Sequence, residues 1–419
     1  MAIGTALYSP ANWADMDAIH ALFAELRQSD PVHFVEDEAY GRYWHITKHA
    51  DIFEIEKRSD VFASAPRVMV MPLQVLAMME QAQAEGLHTI RTLSVMDAPE
   101  HMKMRLLTQS WFMPKNLQKL QGSIDASASF ALETLAKRGG ECDFARDIAL
   151  EYPLRVIMAV MGVGEEHYSM MLRLTQELLG SSDPDLKREG LDPGDMKAIH
   201  TEYIAFFQKL TEEKRANPAN DLTSLIANAE VDGKPLGFNE QLGYYVIAAT
   251  AGHDTTSFTL TEAVHQLARN PQLLEQLKAD PAAMAEKVAD EAIRYAAAVR
   301  HFCRTAKVDF QLRGKTIKAG DPIILWYPSG SRDEEIFSDP NRFDPHRDVS
   351  ARHASFGHGA HICLGMHLAR KELTSFLKHF AERVEVLELT GSARYTEAHF
   401  LGGIKSLPIK ARLKHECVA

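Results

Sequence analysis

Between residues 15 and 29 apolar residues recur at spacings of three and four, which predicts an early amphipathic helix. The pattern then changes to short alternating runs around Gly41 in residues 32–46, which predicts a small sheet. Helical spacing dominates from residue 98 to 269, and strand-like pieces return at 308–325, where Gly314 and Gly320 mark turns, and at 404–413. The expected fold class is mainly α with small β-sheets. The longest helical stretch covers 239–269 and is stopped by Asn270-Pro271. Its middle, residues 246–256 (VIAATAGHDTT), is apolar nearly all round and should cross the interior. Gly252 and the poor helix formers Asp254, Thr255 and Thr256 interrupt it. Glycine inside a helix costs about 1 kcal/mol relative to alanine, and threonine can bond back to the i−4 carbonyl and bend the axis. Local disruption in a buried helix marks a site.

The chain has 419 residues, with no Pro-, Gly- or Ser-rich linker and no repeat, so residues 1–419 are expected to form a single domain. Hydrophobic residues make up 46% and charged residues 25%, values of a globular protein rather than a disordered one. A net charge of −11 gives no global positive field, so no nucleic-acid partner is expected. Nor is a membrane: no segment sustains the roughly 18 apolar residues of a span, and the start lacks a signal-peptide pattern. A cytoplasmic monomer is the expectation.

Cys142, Cys303, Cys363 and Cys417 are far apart and form no CxxC pair, which argues against a disulfide framework or a zinc ribbon. The densest signal is residues 356–365, FGHGAHICLG. There Cys363 lies between glycines where an extended loop meets a helix start, and free amide N–H groups with the positive helix end stabilise thiolate over thiol. The glycines let the backbone approach something flat and bulky. The bland alternative is a buried cysteine acting as a small hydrophobe.

This segment resembles the haem-binding signature of the cytochrome P450 superfamily, Phe-x-x-Gly-x-x-x-Cys-x-Gly, matched by Phe356, Gly359, Cys363 and Gly365. The resemblance extends to Glu291-x-x-Arg294, to Arg342 after Pro340-Asn341, and to Ala251-Gly252-His253-Asp254-Thr255-Thr256, and covers nearly the whole chain in the expected order. The stretches 301–331 and 400–405 look most like the soluble bacterial, terpineol-hydroxylating branch.

The resemblance implies a cytochrome P450 fold, with haem b between the long central helix and the helix after the cysteine loop. Cys363 would ligate the iron, with Phe356 and Gly365 beside the haem and His101, Arg105, Arg304 and His361 holding its propionates. Glu291, Arg294 and Arg342 would form a buried charge network behind it, although Glu291 and Arg294 taken alone equally fit a surface ion pair. Asp254 and Thr255 match the acid–alcohol pair that brings protons to dioxygen; alternatively Asp254 only breaks the helix. His253 reads as a satisfied structural histidine. Ile247, Ala248, Ala251, Val299, Phe302 and Leu401 occupy pocket-lining positions. Between Pro66 and Asp97, Val68, Met69, Val70, Met71, Leu73, Val75, Leu76, Met78 and Met79 suit an adaptable pocket wall, or are simply core.

A thiolate ligand favours O–O cleavage over oxygen carriage. The implied activity is a haem-thiolate monooxygenase that uses O2 to hydroxylate a small hydrophobic substrate, a monoterpenoid or a small alkyl-aromatic or fused aromatic hydrocarbon. No flavin or iron–sulfur signature is present, so a separate carrier is implied: a [2Fe-2S] ferredoxin with an NAD(P)H-dependent ferredoxin reductase. Lys103, Arg105, Lys115, Arg352 and Lys371 could form its basic docking patch, or be ordinary solvated charges. The rival readings are a haem-thiolate isomerase or peroxygenase, and a non-enzymatic haem sensor.

Overall fold

Predicted strands far apart in the chain meet in one sheet of the computed structural model, which describes residues 3–84, 90–179, 183–185, 193–348 and 353–414. Arg352 and Cys417 lie outside the described residues. β1 (Val32–Asp37) and β2 (Gly41–Ile46) form an antiparallel hairpin, with Gly41 at φ +82°, where a side chain would be strained. β3 (Phe62–Ala63), β4 (His301–Ala306) and β5 (Pro322–Trp326) complete the order β1-β2-β5-β4-β3, with β5 parallel to β2 and antiparallel to β4. Ile323 and Leu325 pack on one face and Ile324 and Trp326 on the other, all fully buried, so this run reads as continuously apolar rather than alternating. β4 begins ahead of the predicted 308–325 region. Within that region residues 310–317 form a separate hairpin, Phe310–Leu312 against Lys315–Ile317.

Helices make up 57% of the structure. α1 (Met16–Ser29) is the predicted early helix; the Asp15 carboxylate accepts from the Ala18 amide at 3.0 Å, and Ile19, Phe23 and Leu26 are buried. α2 (His49–Lys57) packs under the sheet, and α3 (Leu73–Ala84) precedes α4 (Glu100–Gln109). α5 (Gln121–Lys137), α6 (Glu151–Met161), α7 (Phe238–Ala251), α8 (Asp254–Arg269), α9 (Pro281–Ala296) and α10 (Met366–Arg383) supply most of the main core. Among the described residues no helix is long and apolar enough to cross a membrane.

Two expectations change. The stretch 239–269 is two helices, α7 and α8, separated at Gly252-His253. In the charge network, Glu291 and Arg294 form a fully buried two-pronged pair at 2.7 and 2.8 Å, but the second cation is Arg347 rather than Arg342. Arg347 places Nε 3.5 Å from Glu291 and donates to the carbonyls of Ser338, Asp339 (3.0 Å) and Arg342 (3.1 Å). The Arg342 carbonyl accepts from both Arg294 and Arg347, which leaves its side chain 65% exposed and paired with Asp344 at 2.6 Å. Removing one partner of a buried ion pair costs about 3–5 kcal/mol, whereas an exposed pair is worth about 0–1 kcal/mol. Thermal unfolding should therefore show Arg294→Met strongly destabilised and Arg347→Met measurably so, with Arg342→Ala close to wild type. A large loss in Arg342→Ala with none in Arg347→Met would reverse this assignment.

Candidate active site

At Gly252-His253 the central helix gives way for reasons of space and of hydrogen bonding. A Cβ on Gly252 would lie 2.5 Å from Ile157 of α6, so glycine permits the close crossing of the two helices. His253 leaves helical geometry at φ −122°, ψ −49°. The Thr255 hydroxyl donates to the Ala251 carbonyl at 3.0 Å and supplies a partner for backbone near the break. His253 is fully buried, with Nδ1 3.1 Å from the Ala249 carbonyl and Nε2 3.0 Å from the Asp254 carboxylate. Burial opposes its protonation, but Asp254 and the carbonyl outweigh that, and its pKa is raised.

The cysteine loop comes from the opposite side. Gly357 and Gly359 have φ of +64° and +68°, and a Cβ on Gly359 would lie 2.1 Å from the Glu56 carbonyl, so the loop fits against α2 only with glycine there. The Cys363 amide donates to the Phe356 carbonyl at 2.9 Å. Although Cys363 lies within the fold, its thiol is open to a cavity of about 270 Å³. Burial raises the thiol pKa and outweighs the Gly365 amide, Arg105 and Arg370, so the helix start alone does not produce the thiolate expected from the sequence. A coordinating metal ion would displace that proton outright.

Ile247, Ala248, Ala251, Thr255, Val299, Phe302, Phe356, Cys363 and Gly365 all line this one cavity. So do His101, Arg105, Arg304 and His361. The His101 and His361 rings stack 3.9 Å apart, Arg105 donates to the Ile362 carbonyl at 2.8 Å, and Arg304 donates to the Cys303 carbonyl at 2.8 Å. Burial lowers the His361 pKa to about 3, helped by Arg304, His101 and Arg105; burial and Arg105 also lower that of His101. Two guanidinium groups and two imidazoles gathered at an apolar cavity call for a ligand bearing carboxylates. The open thiol on one wall and the exposed Ala251 on another suit a flat apolar group with a central metal. These residues fit haem.

Two expected residues are absent from the cavity lining. Asp254 is buried against His253, and Leu401 stands beside the wall, bridged antiparallel to Val299 and so on the same face of the backbone as that residue. In the apolar stretch before Asp97, Val70 is simply core, buried around Trp13 and Trp326, whereas Leu73, Val75, Met78 and Met79 are exposed on α3 and fit neither expectation. Lys103 is paired with Asp232 at 2.6 Å and Arg105 turns into the cavity, which leaves Lys115 exposed and Lys371 half-buried among the expected basic patch.

Sequence reasoning missed two acids. Glu56, the α2 residue behind the loop, accepts from Tyr327 at 2.7 Å and lies 3.4 Å from Arg304; burial pushes its pKa up to about 7 against those partners. Glu372 on α10 lines the cavity fully buried, and neither carboxylate oxygen has a hydrogen-bond partner. Its position nine residues after Cys363 was visible, but nothing in the spacing signals an unpartnered acid.

A cysteine open to an apolar cavity that two guanidinium groups and two imidazoles also line suits a haem-thiolate oxidoreductase. A family model described as Cytochrome P450 matches residues 78–414. Cytochrome P450-terp from Pseudomonas sp is 39% identical over 96% of this chain and 95% of its own length. Linalool 8-monooxygenase from Pseudomonas putida is 30% identical over 93% and 95%. The crystal structure of CYP108D1 from Novosphingobium aromaticivorans superposes with a TM-score of 0.91 at 37% identity, covering 98% of both chains. The chain belongs to the cytochrome P450 family. It is an oxidoreductase enzyme of that family, whose cofactor is haem b.

The ordinary Glu pKa is 4.5, and burial raises that of Glu372 well above it. The folded state then holds a proton that the unfolded chain releases, so this group's contribution to stability falls as pH rises from about 4.5 toward the raised value. Glu372→Gln should match wild type in thermal unfolding near pH 4 and gain on it steadily toward neutrality. A difference that does not change with pH would show that Glu372 ionises normally.

Proposed function

We propose that this P450 hydroxylates a small hydrophobic substrate, a monoterpenoid or a small alkyl-aromatic or fused aromatic hydrocarbon, with two electrons delivered by a [2Fe-2S] ferredoxin. The observation that carries the substrate reading is the wall formed by Ile247, Ala248, Ala251, Ala298, Val299 and Phe302, which has no charged side chain. Such a wall offers no partner to a carboxylate or amine, so burying one there is unfavourable. The linalool monooxygenase among the relatives acts on a molecule of this size.

The overall reaction takes R–H, O2, two electrons and two protons to R–OH and water. Haem, when bound through Cys363, supplies oxygen activation with a thiolate that favours O–O cleavage. Its propionates would be held by His101, Arg105, Arg304 and His361. The apolar residues of α7 and Phe302 position the substrate and exclude water. Thr255 Oγ holds a proton at the cavity surface, donated to the Ala251 carbonyl at 3.0 Å in the resting arrangement. Asp254, one residue away and 7% exposed, replenishes it from the protein side.

The deciding experiment titrates purified holoenzyme with α-terpineol, linalool, p-cymene, naphthalene and a long-chain fatty acid, read by the Soret shift. Spin-state shifts with the C10 compounds and none with the fatty acid are expected; the reverse ranking would overturn the substrate reading. Thr255→Ala should keep NAD(P)H consumption while diverting most of the oxygen to peroxide. Unchanged product per NAD(P)H in that variant would remove Thr255 from the relay. Cys363→Ser should lose the red-shifted ferrous carbonyl band, and its retention would remove Cys363 as ligand.

A further inference from the structure

β4 has two faces with different tasks. Phe302 and Arg304 face the cavity, while His301 and Cys303 point away from it. On that far side His301 is fully buried beside Trp326, with ring centroids 4.9 Å apart. Its two nitrogens engage two segments distant in sequence. The Val70 amide donates to Nε2 at 3.0 Å, and Nδ1 lies 2.9 Å from the His399 carbonyl. An amide can only donate and a carbonyl can only accept, so both bonds form in one state alone: neutral imidazole with the proton on Nδ1. Protonation would set an Nε2–H against the Val70 N–H. Burial, followed by His399 and His45, pushes the pKa of His301 well below the usual histidine value, in keeping with a ring that stays neutral.

Both segments lie against the cavity wall. The Cys303 amide donates to the Val68 carbonyl at 2.8 Å, and the Arg300 amide to the Phe400 carbonyl at 2.8 Å. The Gly402 amide donates to the Ala298 carbonyl at 2.9 Å, Val299 bridges Leu401, and the Phe302 and Phe400 rings lie 5.6 Å apart. β4, which places Phe302 on the cavity, and the Val299 segment just before it are thus flanked on one side by residues 399–402 and on the other by residues 68–70. The His301 side chain reaches both.

We propose that His301 is a positioning residue for substrate selection. It does not touch the substrate; as a latch between residues 68–70 and 399–402 it fixes where Val299 and Phe302 stand, and so keeps the cavity small. This rests on the small-hydrophobic-substrate reading for its functional consequence, but not for the latch itself.

Two variants separate the latch from simple packing. Gln can accept from Val70 and donate to His399, whereas Leu fills the space and can do neither. In holoenzyme His301→Leu, amide exchange at Val70 and at residues 400–402 should accelerate about tenfold or more, with exchange in α10 unchanged. The preference for α-terpineol over the C15 alcohol farnesol should fall about fivefold or more, because a loosened wall admits the larger molecule. His301→Gln should stay within about twofold to threefold of wild type on both measures. Equal behaviour of the Leu and Gln variants, or acceleration spread uniformly into α10, would overturn the proposal. If the Leu variant does not fold, 15N spectra of labelled histidine in wild type still decide it: His301 must be the neutral Nδ1–H tautomer between pH 6 and 8, and an Nε2–H ring would break the argument. Failure of wild type to bind either alcohol would sink the substrate reading alone, leaving the exchange and tautomer results to judge the latch.

Discussion

A helix that runs through an apolar interior cannot leave its backbone groups unpaired, and the break between α7 and α8 is the place where this protein meets that constraint. Gly252 lets Ile157 come close enough to fill the space beside the break. Thr255 gives the Ala251 carbonyl a hydroxyl partner, and His253 does the same for the Ala249 carbonyl. The repair places a hydroxyl on the cavity surface and a carboxylate immediately behind it. Thus the side chains that make a broken helix tolerable include those to which the proposed proton relay is assigned.

The electrostatics of the cavity are uneven in the same way. Arg105, Arg304, His101 and His361 gather at one cavity; burial opposes charge on Arg105 and on both imidazoles, which shift toward neutrality. Among the described residues only Glu56 offers Arg304 a carboxylate, at 3.4 Å, and burial makes that carboxylate itself reluctant to ionise. A dianionic ligand resolves the imbalance better than any protein group present. The haem propionates are such a ligand, and holding them would draw on residues contributed by α4, β4 and the cysteine loop together.

What could be read from the sequence was local, and what could not depended on distant packing. The cysteine loop was legible because its glycines are needed by the backbone itself, and the interior helix because its apolar residues run all the way round. Arg342 was assigned by its place in a motif, yet the motif cannot say that its carbonyl, rather than its guanidinium, meets Arg294. Arg347, five residues on, fills the role through three carbonyls and Glu291, contacts set by the path of residues 338–347. The bridge from Leu401 to Val299 is likewise tertiary and leaves no local signal in the sequence. The methionines of α3 suited an inward-facing wall by composition, but composition carries no direction, and Met78 is 62% exposed.

His301 shows the limit of reading histidines one at a time. In the sequence it is one of 19 and belongs to no motif. In the fold, its neighbours along β4 are Phe302 and Arg304, one facing the cavity with the substrate wall and the other with the cationic side. Strand alternation turns His301 to the opposite face, where two backbone groups from opposite ends of the chain leave it no choice of tautomer. A single strand therefore carries the cavity-lining Phe302 and Arg304 on one face and His301 on the other. Under the proposed latch, changes on the hidden face would alter what the cavity accepts without altering any residue that touches its contents.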